Sequence, residues 1–219
     1  MRDSRPDLGI PEDRRRIYFH LGVVISMANS VDARMVQVGS YLLDPKSPND
    51  GRALLASTWE AKKKRSALQR IFPAGWVQGK ELLEGIRQCA EYRNSMGHAS
   101  LEFDLGAPPD MNVKWLWRSL GRNGTIVETP VDIHSFDGWE LRFRAIEESF
   151  KFIVGPARYF TLIDGFSIDQ IDIANSLKTT PAADWSLVPE DLTDQWNSAI
   201  AWLYPSAAIG RKKPTNESA

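Results

Sequence analysis

The chain has 219 residues, 42% of them hydrophobic, which is enough for one sizeable core with an appendage. Its 27 basic and 28 acidic residues leave a net charge of −1, which excludes a global field for nucleic acid or an anionic membrane and makes any polyanion site local. The lone cysteine, Cys89, excludes an internal disulfide framework and a cysteine-based zinc cage and fits a reducing, cytoplasmic compartment.

Residues 1–11 read as a flexible N-terminus without the apolar core of a signal peptide. No stretch reaches the roughly 18 uninterrupted apolar residues of a membrane span, so a soluble chain is expected. From Glu12 to Leu43, Ile17, Leu21, Val24, Ala28, Val31, Met35, Val38 and Leu42 recur at steps of four and three, the stripe of a long amphipathic helix opened by Pro11. Breakers from Asp44 to Gly51 mark a loop. Ser57-Thr58-Trp59-Glu60 has the spacing of a capping box, which predicts a second helix from about Thr58 to Phe72, ended by Pro73-Ala74-Gly75.

A third helix is predicted from about Gly79 to Ser100, with a stripe of Leu82, Ile86, Cys89, Arg93 and Met96. Arg93 breaks the pattern, because a solvated arginine belongs off the line that faces the bundle. After Gly106-Ala107-Pro108-Pro109, Val113, Trp115 and Trp117 alternate with Lys114, Leu116 and Arg118, as in a strand. Gly121 to Gly124 and then Thr125 to Thr129 complete a β-hairpin, which must pack on the helices because two strands alone are marginal. Trp139, Phe143, Ile146, Phe150, Ile153 and Ala157 mark a fourth helix from a cap near Asp137, ended near Gly155-Pro156. The expected fold is all-α: an antiparallel bundle of about four helices over residues 12–160, with the hairpin inserted between the third and fourth. Residues 161–219 read as an extension with one helix carrying Leu192, Trp196, Ile200 and Leu203, and a disordered end from Arg211.

The residues that carry chemistry lie near the end of the third helix, at Arg93-Asn94-Ser95-Met96-Gly97-His98. At about 100° per residue, Arg93 and His98 stand roughly 140° apart around a regular helix, whereas Asn94 and His98 share a face. The set converges only if Gly97 loosens the helix or a second copy completes the site across a two-fold axis. These residue types suit RNA cleavage by the adjacent 2′-hydroxyl, which needs no metal. Histidine moves protons near neutral pH, arginine holds phosphate oxygens, and asparagine orients either.

The fragment EYRNSMGHAS resembles the signature of the HEPN superfamily, an arginine, a polar residue and then a histidine after four to six intervening positions. The resemblance spans about residues 12–157 in organisation. It implies Arg93, Asn94 and His98 as catalytic positions of a metal-independent endoribonuclease of toxin–antitoxin or phage-defence type, with its site at a homodimer interface. Other members are non-catalytic modules that dimerise or bind nucleotides or partners, so the same residues also fit that role. An antitoxin or other protein partner would dock on the C-terminal extension.

Blander readings stand beside these. Arg93 pairs with Glu91 or Glu60, and His98 caps its helix. Lys62, Lys63, Lys64 and Arg65 offer a weak RNA-binding patch, or simply a solvated helix face. The eight tryptophans read as core rather than as base-stacking platforms, and His20 and His134 as structural histidines. No spacing of histidines and carboxylates implies a metal, and no cofactor is expected.

Overall fold

The computed structural model describes residues 12–43, 60–103, 115–121, 123–160, 168, 171–179 and 192–209. Among these the chain is mostly helical, with a small antiparallel sheet. Its elements are α1 (Glu12–Leu43), α2 (Ala61–Ile71), α3 (Val77–Gly97), β1 (Ser100–Phe103), β2 (Trp115–Leu120), β3 (Ile126–Pro130), a 3-10 turn (Ile133–Ser135), α4 (Phe136–Phe160), α5 (Ile173–Thr179), α6 (Leu192–Leu203) and α7 (Pro205–Ile209). Ser57, Thr58 and Trp59 of the expected capping box, the loop from Asp44, both termini and the strand start at Asn112 to Lys114 lie outside the described residues.

The stripe of α1 buries Ile17, Val24, Val31, Met35 and Val38 as its spacing predicts. This helix packs most extensively on α4 and also meets α2 and α3. His20 bonds to Glu140 and Ser30 to Glu147, so residue numbers rise together and α1 and α4 run in the same direction, which corrects the expectation of an antiparallel bundle for this pair. The path of α3 is opposite, since Tyr92 stacks on Trp139 while a β-carbon on Gly85 would lie 3.6 Å from Ile146. Consequently the end of α3 and the starts of α1 and α4 meet at one end of the molecule. Arg14 of α1 lies over the Trp115 ring of β2 at 5.9 Å, which places the sheet at that end too.

Several boundaries differ from the sequence expectation, among them the start of α2, where Glu60 is an extended N-cap rather than part of a first turn begun at Thr58, and the start of α3 at Val77 rather than Gly79. The third helix stops at Gly97 rather than Ser100, because His98 leaves helical geometry (φ −109°, ψ 7°) and Ser100 to Phe103 pair with β2 instead. The hairpin therefore gains a third strand, in the order β1-β2-β3. Helix α4 runs through Gly155-Pro156 to Phe160; a proline removes one backbone donor and can kink a helix without ending it. The start of α4 is Phe136, after a 3-10 turn in which the Asp132 carboxylate accepts from the His134 N–H at 3.0 Å.

The hairpin itself follows its residues. Gly124 adopts φ 72°, a conformation glycine reaches without a β-carbon clash, and Gly121 N–H donates to Thr125 O at 2.7 Å. Trp115 and Trp117 are buried on one side of β2. Arg118, between them and the turn, joins Glu102 of β1 and Glu128 of β3.

One apolar cluster joins the long helices to the C-terminal segment, holding Phe143, Ile146 and Phe150 together with Ile173, Leu177, Ile200, Leu203 and Tyr204. Each such side chain contributes roughly 1.5–3 kcal/mol of transfer free energy when fully buried. Leu203 reaches the space over Gly85 that a larger α3 residue would fill. Buried Tyr204 donates to Ser149 Oγ at 2.8 Å, and Ser149 donates in turn to Ala145 O at 2.6 Å. Gln78 in the first turn of α3 accepts from Ile173 N–H at 2.7 Å and donates to Asp172 at 3.0 Å, fastening α5 to α3. Helices α5 and α7 had no counterpart in the sequence expectation, because they are too short for a periodic stripe.

Candidate functional site at the end of the third helix

Helix α3 is regular to its last residue. His98 N–H donates to Asn94 O at 3.2 Å, the four-residue bond of an uninterrupted turn, so Gly97 does not loosen the helix. Arg93 and His98 thus keep their separation of roughly 140° around the axis. Leu82, Ile86, Cys89 and Met96 bury the face on which Arg93 lies, and Arg93 is itself half-buried. Asn94, Ser95 and His98 are exposed. One chain does not bring the arginine and the histidine together.

The two carboxylates offered for Arg93 are engaged elsewhere. Glu91 accepts from Arg87 at 2.5 Å, and Glu60 from Lys63 at 2.9 Å. Among the described residues Arg93 enters no ion pair, and its Nε is buried with no hydrogen-bond partner. Its side chain lines a cavity of about 190 Å³ where α1, α2, α3 and α4 meet. Asn29, Asp32, Ala61, Cys89 and Phe143 form other parts of the wall. His98 does end its helix, but through its backbone, and neither its imidazole nor the Asn94 amide has a partner among the described residues.

The four cations of α2 part company. Lys62 and Lys63 are exposed, Arg65 is half-buried, and Lys64 is turned inward, 8% exposed, to the carboxylate of Asp32. Only part of the run faces solvent.

A second polar cluster lies beside the motif. His20 is 2% exposed, with Nδ1 2.7 Å from Glu140 and Nε2 2.9 Å from the Tyr92 hydroxyl. An ionised carboxylate only accepts, so Nδ1 is the ring nitrogen that donates to Glu140, and Nε2 is left for the Tyr92 hydroxyl. Phe136 stacks on the His20 ring with centroids 3.8 Å apart, and Trp139 stacks on Tyr92 at 3.9 Å. Burial pushes the Tyr92 phenol up from its ordinary value, so it remains protonated. His20 is therefore a satisfied core histidine, the role expected of it, whereas His134 is exposed in the 3-10 turn. Tyr92 and Glu140 were not legible as its partners, since 72 and 120 residues of chain separate them from His20.

Burial also pushes the Cys89 thiol, on the cavity wall, up to about 12, opposed by the charge of Arg142. Among the described residues no group of three or more histidines, cysteines and carboxylates is arranged to hold a metal ion. No helix among them is long and apolar enough to cross a membrane. Comparison with models of protein families, with curated proteins and with solved structures finds no match to this chain.

Proposed function

We propose that the chain is a HEPN-type, metal-independent endoribonuclease of the cytoplasm, active as a homodimer and belonging to a toxin–antitoxin or defence system. In this reading α1 to α4 are the four-helix bundle of that family, with the sheet inserted between α3 and α4. The observation that carries it is the end of α3, where Asn94 and His98 share an exposed face with no partner among the described residues, beside an Arg93 that neither Glu91 nor Glu60 neutralises.

A solvated histidine is able to take a proton from a ribose 2′-hydroxyl. The 2′-oxygen then bonds to phosphorus, the bond from phosphorus to the 5′-oxygen breaks, and that oxygen needs a proton. Across a two-fold axis the second copy of His98 supplies it, so one histidine acts as base and the other as acid. Asn94, one turn before His98 on the same face, orients the imidazole or a phosphate oxygen. Arg93, on the other side of the helix, is the cation that engages the substrate.

Purified protein is expected to cut RNA in EDTA and to leave a 2′,3′-cyclic phosphate. His98→Ala should lower the rate by at least about 100-fold while the far-ultraviolet circular dichroism is unchanged. Undiminished cleavage by both His98→Ala and Arg93→Ala would remove these residues from the site.

A second reading is a non-catalytic module that binds a nucleotide or a partner. It is favoured by the inward placement of Arg93, away from His98. RNA that stays intact after long incubation with a demonstrably dimeric, folded protein would decide for it.

A further inference from the structure

The sheet leaves one edge open. Ile126 to Pro130 of β3 pair with β2 on one side, and among the described residues no strand occupies the other. All five residues are exposed, Ile126 at 64% and Val127 at 45%, and Leu120, the cross-strand neighbour of Ile126, is 74% exposed. Natural sheet edges are kept from pairing by lysine, by proline, by a bulge or by an inward-pointing charge. Residues 125–129 carry no lysine or proline, and the one charge among them, Glu128, is already matched by Arg118 at 2.6 Å. Pro130 blocks only the end of the strand.

The hydrogen bonds of the hairpin identify the free backbone groups. Gly121 N–H donates to Thr125 O at 2.7 Å and Val131 N–H to Trp115 O at 2.9 Å, so in this register the odd-numbered residues of β3 turn their N–H and C=O toward β2. Ile126 and Glu128 turn theirs outward. Antiparallel pairing of this edge with a second copy, about a two-fold axis through Val127, sets Ile126 of each copy opposite Glu128 of the other and closes four backbone bonds. Thr125 then faces Thr129 and Val127 faces Val127, both favourable cross-strand pairs, on the side of the sheet that carries Trp117. An axis at Glu128 would bring two carboxylates together, and Pro130 would supply no donor. An axis at Ile126 would set Glu128 against Gly124, whose φ of 72° is outside strand geometry. Charge and backbone polarity therefore select one register. A net charge of −1 adds no general repulsion between the copies.

We propose that β3 is a homotypic docking edge, through which two copies of this chain join their three-stranded sheets across a two-fold axis at Val127. The interface is made by the sheet and not by α3, so it does not rest on the endoribonuclease reading of the Arg93 to His98 motif.

The test is disulfide trapping of the full chain under mild oxidation, read on a non-reducing gel. Facing residues of a non-hydrogen-bonded antiparallel pair have Cα atoms about 4.5 Å apart, within reach of a disulfide, and Cys89 is too buried to interfere. Val127→Cys should form a covalent dimer on its own. Ile126→Cys should not, although its position is more exposed, because the selected register sets Ile126 against Glu128 rather than against itself. Ile126→Pro removes only an outward donor, which an edge strand tolerates. Combined with Val127→Cys it should cut the yield of covalent dimer about tenfold, the scale of two backbone bonds lost per dimer, with circular dichroism unchanged. Should that double variant unfold, the comparison of the two single cysteines still decides. Absence of a covalent dimer in Val127→Cys, equal cross-linking of Ile126→Cys, or full cross-linking in the folded double variant would overturn the proposal and leave the edge to a strand of another protein. The measurement uses no RNA, so failure of the nuclease reading leaves it intact, and its own failure leaves the cleavage assay intact.

Discussion

Cys89 shows how burial outweighs a nearby charge in setting the chemistry of a side chain. Its thiol is pushed up to about 12 in the folded protein by desolvation, whereas an unfolded chain ionises cysteine at about pH 8.5. Between those values the unfolded state has released a proton that the folded state keeps. The contribution is thus fully present below about pH 8 and is lost as pH rises, by up to about 1.4 kcal/mol per pH unit. Urea unfolding from about pH 7 to 10 should show this decline in the parent and a shallower one in Cys89→Ala. Identical slopes would mean that the thiol reaches solvent in the folded state. Near the middle of α3, Glu84 is held near 2 by its bonds to Arg87 and Gln88, but it is exposed and such a pair adds little stability.

Helix α3 carries most of what the molecule has to position. Its first turn fastens α5 through Gln78, its middle admits Leu203 at Gly85, and its last turns hold Tyr92 against His20 and Arg93 in the cavity. Gly85 is there for proximity, since a β-carbon at that position would overlap the Leu203 side chain. Gly85→Val should destabilise the protein by about 1–3 kcal/mol despite the better helix propensity of valine, because overpacking outweighs the backbone gain. A rise in melting temperature in that variant would show that α6 moves aside at no cost. Within the sheet, the edge strand β3 is exposed along its whole length and is tied to β2 partly through Arg118, whose ion pairs with Glu102 and Glu128 are solvent-accessible and screened by salt.

At the scale of the whole molecule, the C-terminal helices share one apolar cluster with α1, α3 and α4. A partner that docked on Leu203 would have to displace it from that cluster, where it is 1% exposed. Heat should then unfold the long helices and the C-terminal helices in a single calorimetric transition. Leu203→Ala should lower that one transition, with a cost of about 2–5 kcal/mol. Two transitions, with only the lower one affected by the substitution, would mark residues 171–209 as a separately folding unit.

The long elements are legible in the amino-acid sequence because they repeat. The apolar steps of α1, the core of α3 and the tryptophan alternation of β2 bury most of the described residues their periods select, and α6 buries Ile200 and Leu203 of its stripe. Short or interrupted elements are not legible in this way: β1 has four residues, α5 seven, and the proline expected to end α4 lies inside it. At the candidate site, the divergence of Arg93 and His98 around the helix was legible, since it follows from helical pitch. The placement of Arg93 and Asp32 on one cavity wall, and the bonding of His20 to Tyr92 and Glu140, join positions far apart in the chain. By itself the sequence determined the helical periods, the amphipathic faces and which residues could do chemistry, because those depend on local backbone geometry and side-chain type. Only the tertiary structure decided which charges would meet, which polar groups would be left unpartnered, and which helix ends would share one end of the molecule. Those depend on long-range packing that no local spacing encodes.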